Sequence, residues 1–477
     1  MQRLVGRSAE QAILSKILKG NEPEFLALYG RRRVGKTFLI REFFQDAIRF
    51  ELTGIHDASR SLQLRNFSDQ LGRAVGSRLR LETPADWYAA FGQLTAFLES
   101  LDTAHRHVVF LDEIPWLSTR RSGFLQALEH FWNSWASRQS HIVLVICGSA
   151  AAWMIEQVIH NRGGLYNRVT RRIRLEPFSL AEVREFLASR KVQLEPRSII
   201  ELFMALGGVP HYLKEVEPGR SAAQSIDAIC FASNGLLAAE FPHLYAALFD
   251  HPERHLELIR ALASRTGGLT RTQLLAAAGR SSGGRSTATL DELVESGFVR
   301  RIDPWEKSCR DALYRLADEF SLFYLRWMES QRRSGEGTWV RLHGTPAWRA
   351  WSGYAFENVC HRHVAQVKQA LGIAGVETIQ GCWFHRPTEQ VDTGAQIDLL
   401  IDRRDDVINI CEVKFADDEF VIDKQYAQHL QRKLDVFRRV TQTHKSLFLT
   451  MVTTFGVRQN SYATDLVASQ ITMDDLF

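Results

Sequence analysis

Apolar segments and helix-like segments alternate along the first part of the chain, up to about Pro177. Five short apolar runs have the length of strands, and apolar residues recur at helical spacing between them. The predicted strands are Phe25–Tyr29, Ile48–Leu52, Val108–Leu111, Ile142–Cys147 and Arg172–Leu175. Alternating strands and helices favour a parallel sheet that is covered by helices on both faces. We therefore predict an α/β core domain over residues 1–178.

The pattern changes after Pro177. Leu180 to Leu213 reads as short helices that a Gly-Gly-Val-Pro break interrupts at residues 207–210, and we assign residues 179–240 to a helical lid. In residues 241–330 we predict three helices and two strands, at His255–Arg265, Thr270–Ala278, Thr287–Ser296, Phe298–Ile302 and Ala312–Leu316, with Thr270 as the N-cap of the second helix. Three helices followed by a β-ribbon are typical of a winged helix.

The C-terminal part has a third pattern. Gln331–Gly337 is polar, contains glycine and lacks periodicity, so we interpret it as a linker before a last domain at residues 342–477. Trp351–Leu371 carries the apolar stripe of a helix. Gln396–Asp402 and Val407–Phe415 then read as the two strands of a hairpin.

Composition adds little to this division. The chain has 477 residues, of which 45% are hydrophobic and 24% charged, and its formal net charge is +4. That length exceeds what one core usually supports, and that charge is too small to indicate a polyanionic partner by itself. The six cysteines have neither metal-ligand nor disulfide spacing. We see no signal peptide and no membrane-spanning run, and we therefore predict a cytoplasmic protein without a membrane partner.

A phosphate-binding loop follows the first predicted strand. Residues 30–37 fit the pattern G-x-x-x-x-G-K-[ST], and helically spaced apolar residues come directly after them. Backbone N–H groups of such a loop surround a phosphate, Lys36 reaches the outer phosphates, and the Thr37 hydroxyl binds Mg²⁺. We predict that ATP binds there, with contacts from Gly30, Arg31, Arg32, Arg33, Val34, Gly35, Lys36 and Thr37.

An acidic pair ends the third predicted strand. We expect Asp112 to organise Mg²⁺ together with Thr37, and Glu113 to orient the attacking water. The fourth strand is followed by Ser149, whose hydroxyl either contacts the γ-phosphate region or caps a helix. A guanidinium that reaches the γ-phosphate would be an arginine finger, and four arginines crowd one later segment: Arg162, Arg168, Arg171 and Arg172.

Several motifs occur in a fixed order: Val5-Gly6-Arg7 followed by Glu10, the phosphate loop, Asp112-Glu113, Leu165-Tyr166-Asn167-Arg168 and Gly207-Gly208-Val209-Pro210. Together they resemble the archaeal-type ATPase family, P-loop ATPases that are related to the AAA+ and STAND groups. The resemblance covers about the first half of the chain and extends to the winged helix. It implies ATP hydrolysis that drives or gates a conformational change, Val5–Arg7 near the adenine, Arg168 as the finger or sensor, and Gly207–Pro210 in the lid.

A second group of candidate residues lies in the C-terminal hairpin. Period-two alternation places Glu412 and Lys414 on one face of their strand. We expect Asp398 of the preceding strand to converge with Glu412 on a divalent metal, with Glu357 of the upstream helix as a further ligand or water orienter. Such a site suits phosphodiester hydrolysis. The alternative is an ordinary amphipathic hairpin with a surface Glu412–Lys414 pair.

The order of helix, hairpin, helix and strand over Trp351–Met451 resembles the PD-(D/E)xK nuclease superfamily, with Ile397 in place of the name-giving proline. The resemblance implies that Asp398 and Glu412 bind Mg²⁺ or Mn²⁺, that Lys414 is the catalytic lysine, that Glu357 is the helix carboxylate, and that Gln425 is an accessory residue. The predicted winged helix would present Arg271, Arg280, Arg285, Arg300 and Arg301. Those arginines favour DNA contact and a simple packing module about equally.

These inferences combine into one hypothesis and one alternative. The fold would be α/β: a parallel-sheet P-loop ATPase core, a helical lid, a winged helix and a C-terminal α/β domain of the restriction-endonuclease type. The nucleotide state would control a DNA-binding winged helix and a metal-dependent nuclease domain, with ATP and DNA, or alternatively RNA, as partners and with oligomerisation open. The alternative is a nucleotide-dependent switch whose C-terminal domain binds a partner or nucleic acid without cleavage.

Overall fold

The computed structural model describes residues 4–119, 121–159, 165, 167–265, 267–305, 312–329, 335–385 and 394–477. Contacts between residues divide the chain into two compact units, Met1–Pro177 and Phe178–Phe477. The division falls where the sequence pattern changes, next to Pro177. Each unit is described by itself below.

The first unit alternates strands with helices, as predicted. Its elements are α1 (Ser8–Lys19), β1 (Glu24–Tyr29), α2 (Lys36–Phe44), β2 (Ile48–Thr53), α3 (Arg60–Ala74), α4 (Trp87–Glu99), β3 (His107–Asp112), α5 (Ile114–Leu117), α6 (Phe124–Ser134), β4 (Ile142–Gly148), α7 (Ala151–Met154) and β5 (Arg171–Arg174). The strands form one parallel sheet in the order β2-β3-β4-β1-β5. All five predicted strands are therefore confirmed.

Continuous apolar runs form these strands because both faces of the sheet are buried. Along β1, Phe25 and Ala27 face one hydrophobic core while Leu26 and Leu28 face another. The first core is closed by α3, α4 and α6, with Trp87 fully buried among phenylalanine rings. The two cores fix the sheet, and its carboxyl edge carries the phosphate loop.

The second unit begins with helices and ends with a mixed sheet. Its helices are α8 (Leu180–Ser189), α9 (Pro196–Leu206), α10 (Pro210–Leu213), α11 (Ala222–Cys230), α12 (Glu240–Ala246), α13 (Pro252–Ala263), α14 (Arg271–Ala277), α15 (Gly284–Glu295), α16 (Glu319–Phe323), α17 (Thr338–Leu342), α18 (Pro346–Arg362), α19 (Val364–Ala370), α20 (Lys424–Thr441) and α21 (Ser461–Leu466). Its strands are β6 (Leu269–Thr270), β7 (Val299–Ile302), β8 (Leu313–Leu316), β9 (Thr378–His385), β10 (Ala395–Arg403), β11 (Val407–Lys414), β12 (Ser446–Thr453) and β13 (Val467–Ile471). Within the described ranges of the chain, no helix is long and apolar enough to cross a membrane.

The helices and strands predicted for the winged helix are present. Helices α13, α14 and α15 accompany a three-stranded sheet in the order β6-β8-β7, in which both pairs are antiparallel. Thr270 caps α14 as predicted, because its side chain accepts a hydrogen bond from the N–H of Gln273. The sequence pattern missed β6, which is only two residues long, and placed the start of α15 three residues too late.

The predicted C-terminal hairpin is also present and belongs to a five-stranded sheet in the order β13-β12-β11-β10-β9. Strands β9, β10 and β11 are antiparallel neighbours, whereas β11, β12 and β13 run parallel. Helix α20 follows the hairpin, and α18 precedes it in sequence and contacts β11. A mixed sheet with helix, hairpin, helix and strand in this order matches the element order that the sequence predicts.

The predicted linker is not a free tether in the part that the structure describes. Residues 331–334 lie outside the described residues, but the N–H groups of Gly337 and Trp339 donate to the two carboxylate oxygens of Asp227 at 2.6 Å each. The buried ring of Trp339 also packs against four aromatic side chains, those of Phe231, Phe323, Trp327 and Trp351. Because one hydrophobic core runs from Phe178 to Leu476, the predicted boundaries within this unit stay predictions.

A buried histidine joins the predicted lid segment to the C-terminal region. The sequence predicts one helix over Trp351–Leu371, but it breaks at His363 between α18 and α19. The ring Nδ1–H of His363 donates to the Val359 carbonyl at 2.8 Å, and its Nε2 accepts from the N–H of Leu180 at 3.0 Å. The bond from Leu180 requires the neutral ring, because a protonated Nε2 cannot accept, and burial lowers the pKa of His363 to about 4.

We expect His363 to make the second unit sensitive to acid. The unfolded chain takes up this proton near pH 6.5 and the folded chain only near pH 4, so stability falls as the pH drops between these values. Over this pH range the free energy of unfolding should fall by about 3 kcal/mol more in the natural chain than in His363→Gln. Urea unfolding monitored by hydrogen exchange of α18 amides measures it, and equal losses in the two proteins would contradict this role.

Candidate functional site

The phosphate loop joins the carboxyl end of β1 to the start of α2, as predicted. Gly30 has φ +146°, and a Cβ there would lie 2.3 Å from the carbonyl oxygen of Leu175, so only glycine fits. Gly35 precedes α2 with φ +91°. The free N–H groups at the start of α2 and the helix dipole favour an anion at this position.

Lys36 is held inside the loop. Its side chain is buried, and its Nζ donates to the carbonyl oxygens of Gly30 and Arg31 at 2.9 Å each. Burial lowers the pKa of Lys36, while the carboxylates of Glu113 and Asp112 oppose that shift. A polyphosphate beside the ammonium would favour its charged form.

The segment before α1 also contacts the loop. Arg7 is buried, has the left-handed φ of +59°, and donates from Nη2 to the Val34 carbonyl at 3.1 Å. The resemblance stated above places Val5–Arg7 near the adenine, and the structure brings Arg7 to the phosphate loop itself. This arginine therefore fixes the loop conformation from outside.

The carboxyl ends of β1, β4 and β3 bring the other predicted residues together. Because these strands are neighbours in a parallel sheet, their ends meet at one edge. The Thr37 hydroxyl donates to Asp112 Oδ2 at 2.7 Å. Ser149 donates to Glu113 from both its backbone N–H, at 3.1 Å, and its hydroxyl. Ser149 thus orients Glu113. This role differs from both predicted ones, which were contact with the γ-phosphate region and capping of a helix.

These residues fit a magnesium ion that accompanies a nucleotide. Magnesium prefers oxygen ligands and is usually held by one or two carboxylates together with substrate phosphates. A hydroxyl and a buried carboxylate oxygen face each other here at 2.7 Å. Thr37 and Asp112 would hold the ion, which when bound neutralises charge on the phosphates.

Arg168 lies away from this edge. The N–H of Phe25 donates to Thr170 Oγ1 at 2.9 Å, and Arg171 pairs with Leu26 in the sheet. Four residues separate Leu26 from Gly30, about 13 Å along a strand. The structure therefore does not bring Arg168 to the phosphate loop of its own chain, and its role as finger or sensor stays a prediction. Arg162 and Tyr166 of the same segment lie outside the described residues.

The second predicted site lies at one end of the C-terminal sheet. Leu399 pairs with Cys411, and continuing that register by one residue places Asp398 opposite Glu412. Directly opposed residues have Cβ atoms about 5 Å apart. Lys414 Nζ lies 3.0 Å from Glu412 Oε1, which confirms that these two side chains share a face.

Glu412 is surrounded by donors. The Tyr426 hydroxyl donates to Oε1 at 2.5 Å, and Lys433 Nζ donates to Oε2 at 2.6 Å. Burial would raise the pKa of Glu412, but the ion pairs with Lys433 and Lys414 outweigh it and lower that pKa to about 2. Gln425, the predicted accessory residue, is exposed, and its neighbour Tyr426 occupies the site instead.

An arginine from β8 reaches the other two carboxylates. Arg315 Nη2 donates to Glu357 Oε2 at 3.1 Å, and Nη1 lies 3.8 Å from Asp398 Oδ1. Asp398 Oδ1 also accepts from the Gln396 amide at 2.7 Å. Burial and the nearby Asp398 raise the pKa of Glu357 to about 7, although Arg315 opposes that shift.

As arranged, this site does not fit the predicted metal ion. Three carboxylates, those of Glu357, Asp398 and Glu412, face three cations, those of Arg315, Lys414 and Lys433. Among the residues that the structure describes, no group of three His, Cys, Asp or Glu side chains is placed to hold a metal. The oxygen donors suit Mg²⁺, but Asp398 and Glu412 are already paired with protein donors, and their role as metal ligands stays a prediction.

Most of the predicted basic surface of the winged helix is paired within the unit. Arg271 donates to Thr287 Oγ1 at 2.6 Å, Arg280 contacts Glu257, and Arg301 contacts Asp303. Arg285 is exposed at the start of α15. These contacts reduce the positive charge that is available to a nucleic acid.

Sequence reasoning missed three residues of the second site: Arg315, Tyr426 and Lys433. A signal existed for two of them, because Tyr426 and Lys433 are seven residues apart on α20 and so share a helical face. No local pattern pointed to Arg315, since its partners are distant in sequence.

The first unit thus defines a phosphate-loop nucleotide-binding domain. Residues 4–216 match the model of an ATPase domain found predominantly in Archaea. The match supports a nucleotide-binding ATPase domain of the archaeal type in this part of the chain, in agreement with that part of the resemblance.

Other similarities are more distant. The chain is 22% identical, over 87% of its length, to 88% of an uncharacterized protein of Methanocaldococcus jannaschii. A Walker-type ATPase of Pyrococcus abyssi is 17% identical with a TM-score of 0.46, covering 68% of this chain and 96% of that one. The ORC2 protein of Aeropyrum pernix is 16% identical with a TM-score of 0.41, covering 66% and 91%. At such values neither structure assigns this chain a ligand or an activity.

We expect Glu113→Gln to bind ATP as the natural protein does but to turn it over about a hundredfold more slowly, because the amide cannot take a proton from water. Lys36→Ala should lose ATP binding, since no cation then reaches the outer phosphates. Calorimetry and phosphate release measure the two quantities. Glu22→Gln, at an exposed position before β1, is the matched control. Undiminished turnover in Glu113→Gln would remove Glu113 from the mechanism.

Proposed function

We propose that the chain hydrolyses ATP and that its nucleotide state controls a DNA-binding winged helix and a metal-dependent nuclease-like C-terminal domain. The paired Thr37–Asp112 and Ser149–Glu113 contacts carry the first part of this proposal. Glu113, fixed by Ser149, would orient a water toward the γ-phosphorus, and the bond from that phosphorus to the bridging oxygen would break to give ADP and phosphate. Lys36 would bind the phosphate oxygens on which charge accumulates.

The second part of the proposal, phosphodiester cleavage, is supported by the C-terminal sheet. Its element order is similar to that of the PD-(D/E)xK superfamily, and the register of β10 and β11 opposes Asp398 to Glu412 with Lys414 beside them. A cleft of about 840 Å³ contains Glu357, Asp398 and Lys414, and Arg432 and His429 also line it. Carboxylates and cations in one cleft are the groups that hydrolysis of a phosphodiester requires.

DNA is the proposed substrate because the adjacent helices and ribbon have winged-helix order. Arg285 at the exposed start of α15 is the residue that we propose for backbone contact. RNA is the alternative substrate.

A second function, a nucleotide-dependent switch without cleavage, is favoured by a specific observation. All three carboxylates of the second site, those of Glu357, Asp398 and Glu412, are paired with cations of the protein itself. A site in that state binds a partner or a nucleic acid without acting as a metal-dependent nuclease.

One experiment separates the two functions. The full chain is incubated with single-stranded, duplex and branched DNA and with RNA, in Mg²⁺ or Mn²⁺, with and without ATP. The nuclease proposal predicts cleavage that Asp398→Asn reduces about a hundredfold or more, because a charged ligand is lost. Asp405→Asn, on an exposed turn of the same hairpin, is the control. Intact nucleic acid under every condition would leave the switch as the function.

A further inference from the structure

One face of α18 lines the cleft of about 840 Å³. Arg349, Gly353 and Glu357 follow one another at intervals of four residues, so they share a side of this helix, and all three line the cleft. A Cβ at Gly353 would meet no atom within 4 Å. The missing side chain at Gly353 therefore leaves the cleft open between two charged positions.

Helix α20 contributes a second set of residues to the same cleft. His429, Arg432 and Lys433 line it and are three and four residues apart, so they also share a helical face. Lys433 is almost buried and donates to Glu412, whereas His429 and Arg432 are exposed. The cleft thus has buried charges in its interior and exposed charges at its opening.

The buried charges are already balanced. Three carboxylates contact three cations there: Glu357, Asp398 and Glu412 contact Arg315, Lys414 and Lys433. Those contacts are made within the protein, so they leave no carboxylate available to an added cation. A ligand of this cleft is therefore selected by the charges that remain.

Two arginines remain at the opening. Arg349 Nε lies 3.9 Å from Asp417 Oδ2, but both side chains are exposed, and Asp417 also contacts Arg197 at 2.5 Å. A long ion pair between exposed groups is weak. Arg432 has no ion pair with any residue that the structure describes. The cleft therefore carries an excess of positive charge, which attracts an anion.

Phosphate is the anion that these groups fit. A guanidinium presents parallel N–H groups that match two phosphate oxygens, and an ammonium adds a point charge. Lys414 supplies that ammonium, because its side chain lines the cleft and is 34% exposed. Two exposed arginines at the opening leave room for a ligand that continues beyond the cleft, as a polynucleotide does.

We propose that this cleft binds a backbone phosphate of a nucleic-acid strand directly, through Arg349, Arg432 and Lys414, without a bridging metal ion. The inference rests on the proposed function, because it names the ligand group and the contacts of the same site. Direct binding is the first step of cleavage in one candidate function and the whole event in the other.

Binding of a labelled thymidine oligonucleotide of about four residues, without terminal phosphates, to the full chain in EDTA tests the proposal by fluorescence anisotropy. Arg349→Gln and Arg432→Gln should each weaken binding about tenfold, because a charge-assisted hydrogen bond is lost. Each should also reduce the slope of log affinity against log salt concentration by about 0.7. Arg438→Gln, at an exposed position of α20 outside the cleft, is the matched control and should change neither quantity.

A steric variant tests the location without removing a charge. Gly353→Leu should weaken binding about tenfold or more, because the new side chain enters the space that the ligand needs. Leucine is favoured over glycine inside a helix, and no neighbouring atom obstructs its Cβ, so this variant should fold.

The contradicting outcomes separate the inference from the proposed function. Unchanged affinity in both arginine variants and in Gly353→Leu would overturn the phosphate contact and leave cleavage to its own test with Asp398→Asn. Binding by the natural chain only when Mn²⁺ is present would overturn direct contact and favour a metal-dependent site. Displacement by inorganic phosphate at the concentration of the oligonucleotide would make the ligand a free phosphate. No binding of nucleic acid with or without Mn²⁺ would overturn the inference together with the proposed nucleic-acid function.

Discussion

The second unit depends on the balance of buried charge around Arg315. A guanidinium that leaves water needs carboxylates, and Glu357 and Asp398 supply them from α18 and β10. The same requirement applies to Glu412, which Lys414 and Lys433 neutralise. Because removal of one member of a buried pair leaves an uncompensated charge, this group fixes the ribbon of β7 and β8 against the C-terminal sheet. The ion pairs that form the candidate site therefore also hold these elements of the unit together.

A different constraint builds the site of the first unit. Parallel strands that are buried on both faces end at one edge, and there the phosphate loop, Asp112, Glu113 and Ser149 meet. Backbone N–H groups and the buried Lys36, beside the carboxylates of Asp112 and Glu113, set the potential at this edge. The match of residues 4–216 to an ATPase domain found predominantly in Archaea supports the same assignment and does not depend on this geometry. One chain thus carries two clusters of polar residues that differ in how they are stabilised.

The sequence predicted those parts of the fold and sites that depend on local pattern. The five strands of the first sheet, the cap at Thr270 and the hairpin around Glu412 follow from periodicity and turn residues. Contacts between distant residues were not predictable: Arg315 reaches Asp398 through the tertiary fold, and Trp339 packs into a core where the polar residues before it indicated a linker. The break at His363 was missed because its cause, a bond to Leu180, is also tertiary. Arg168 was assigned by resemblance, and only the register of β5 shows its distance from the loop.

The central claim is that the nucleotide in the first unit controls the carboxylate site of the second. Coupling between two binding sites is reciprocal, so a substitution that changes the state of the carboxylate site must also change nucleotide affinity when the two sites are coupled. The direct measurement is the ratio of the affinities for a non-hydrolysable ATP analogue and for ADP, in the natural chain and in Arg315→Gln. The account predicts that this ratio changes about fivefold or more. An identical ratio in the two proteins would show that the sites act independently and would contradict it.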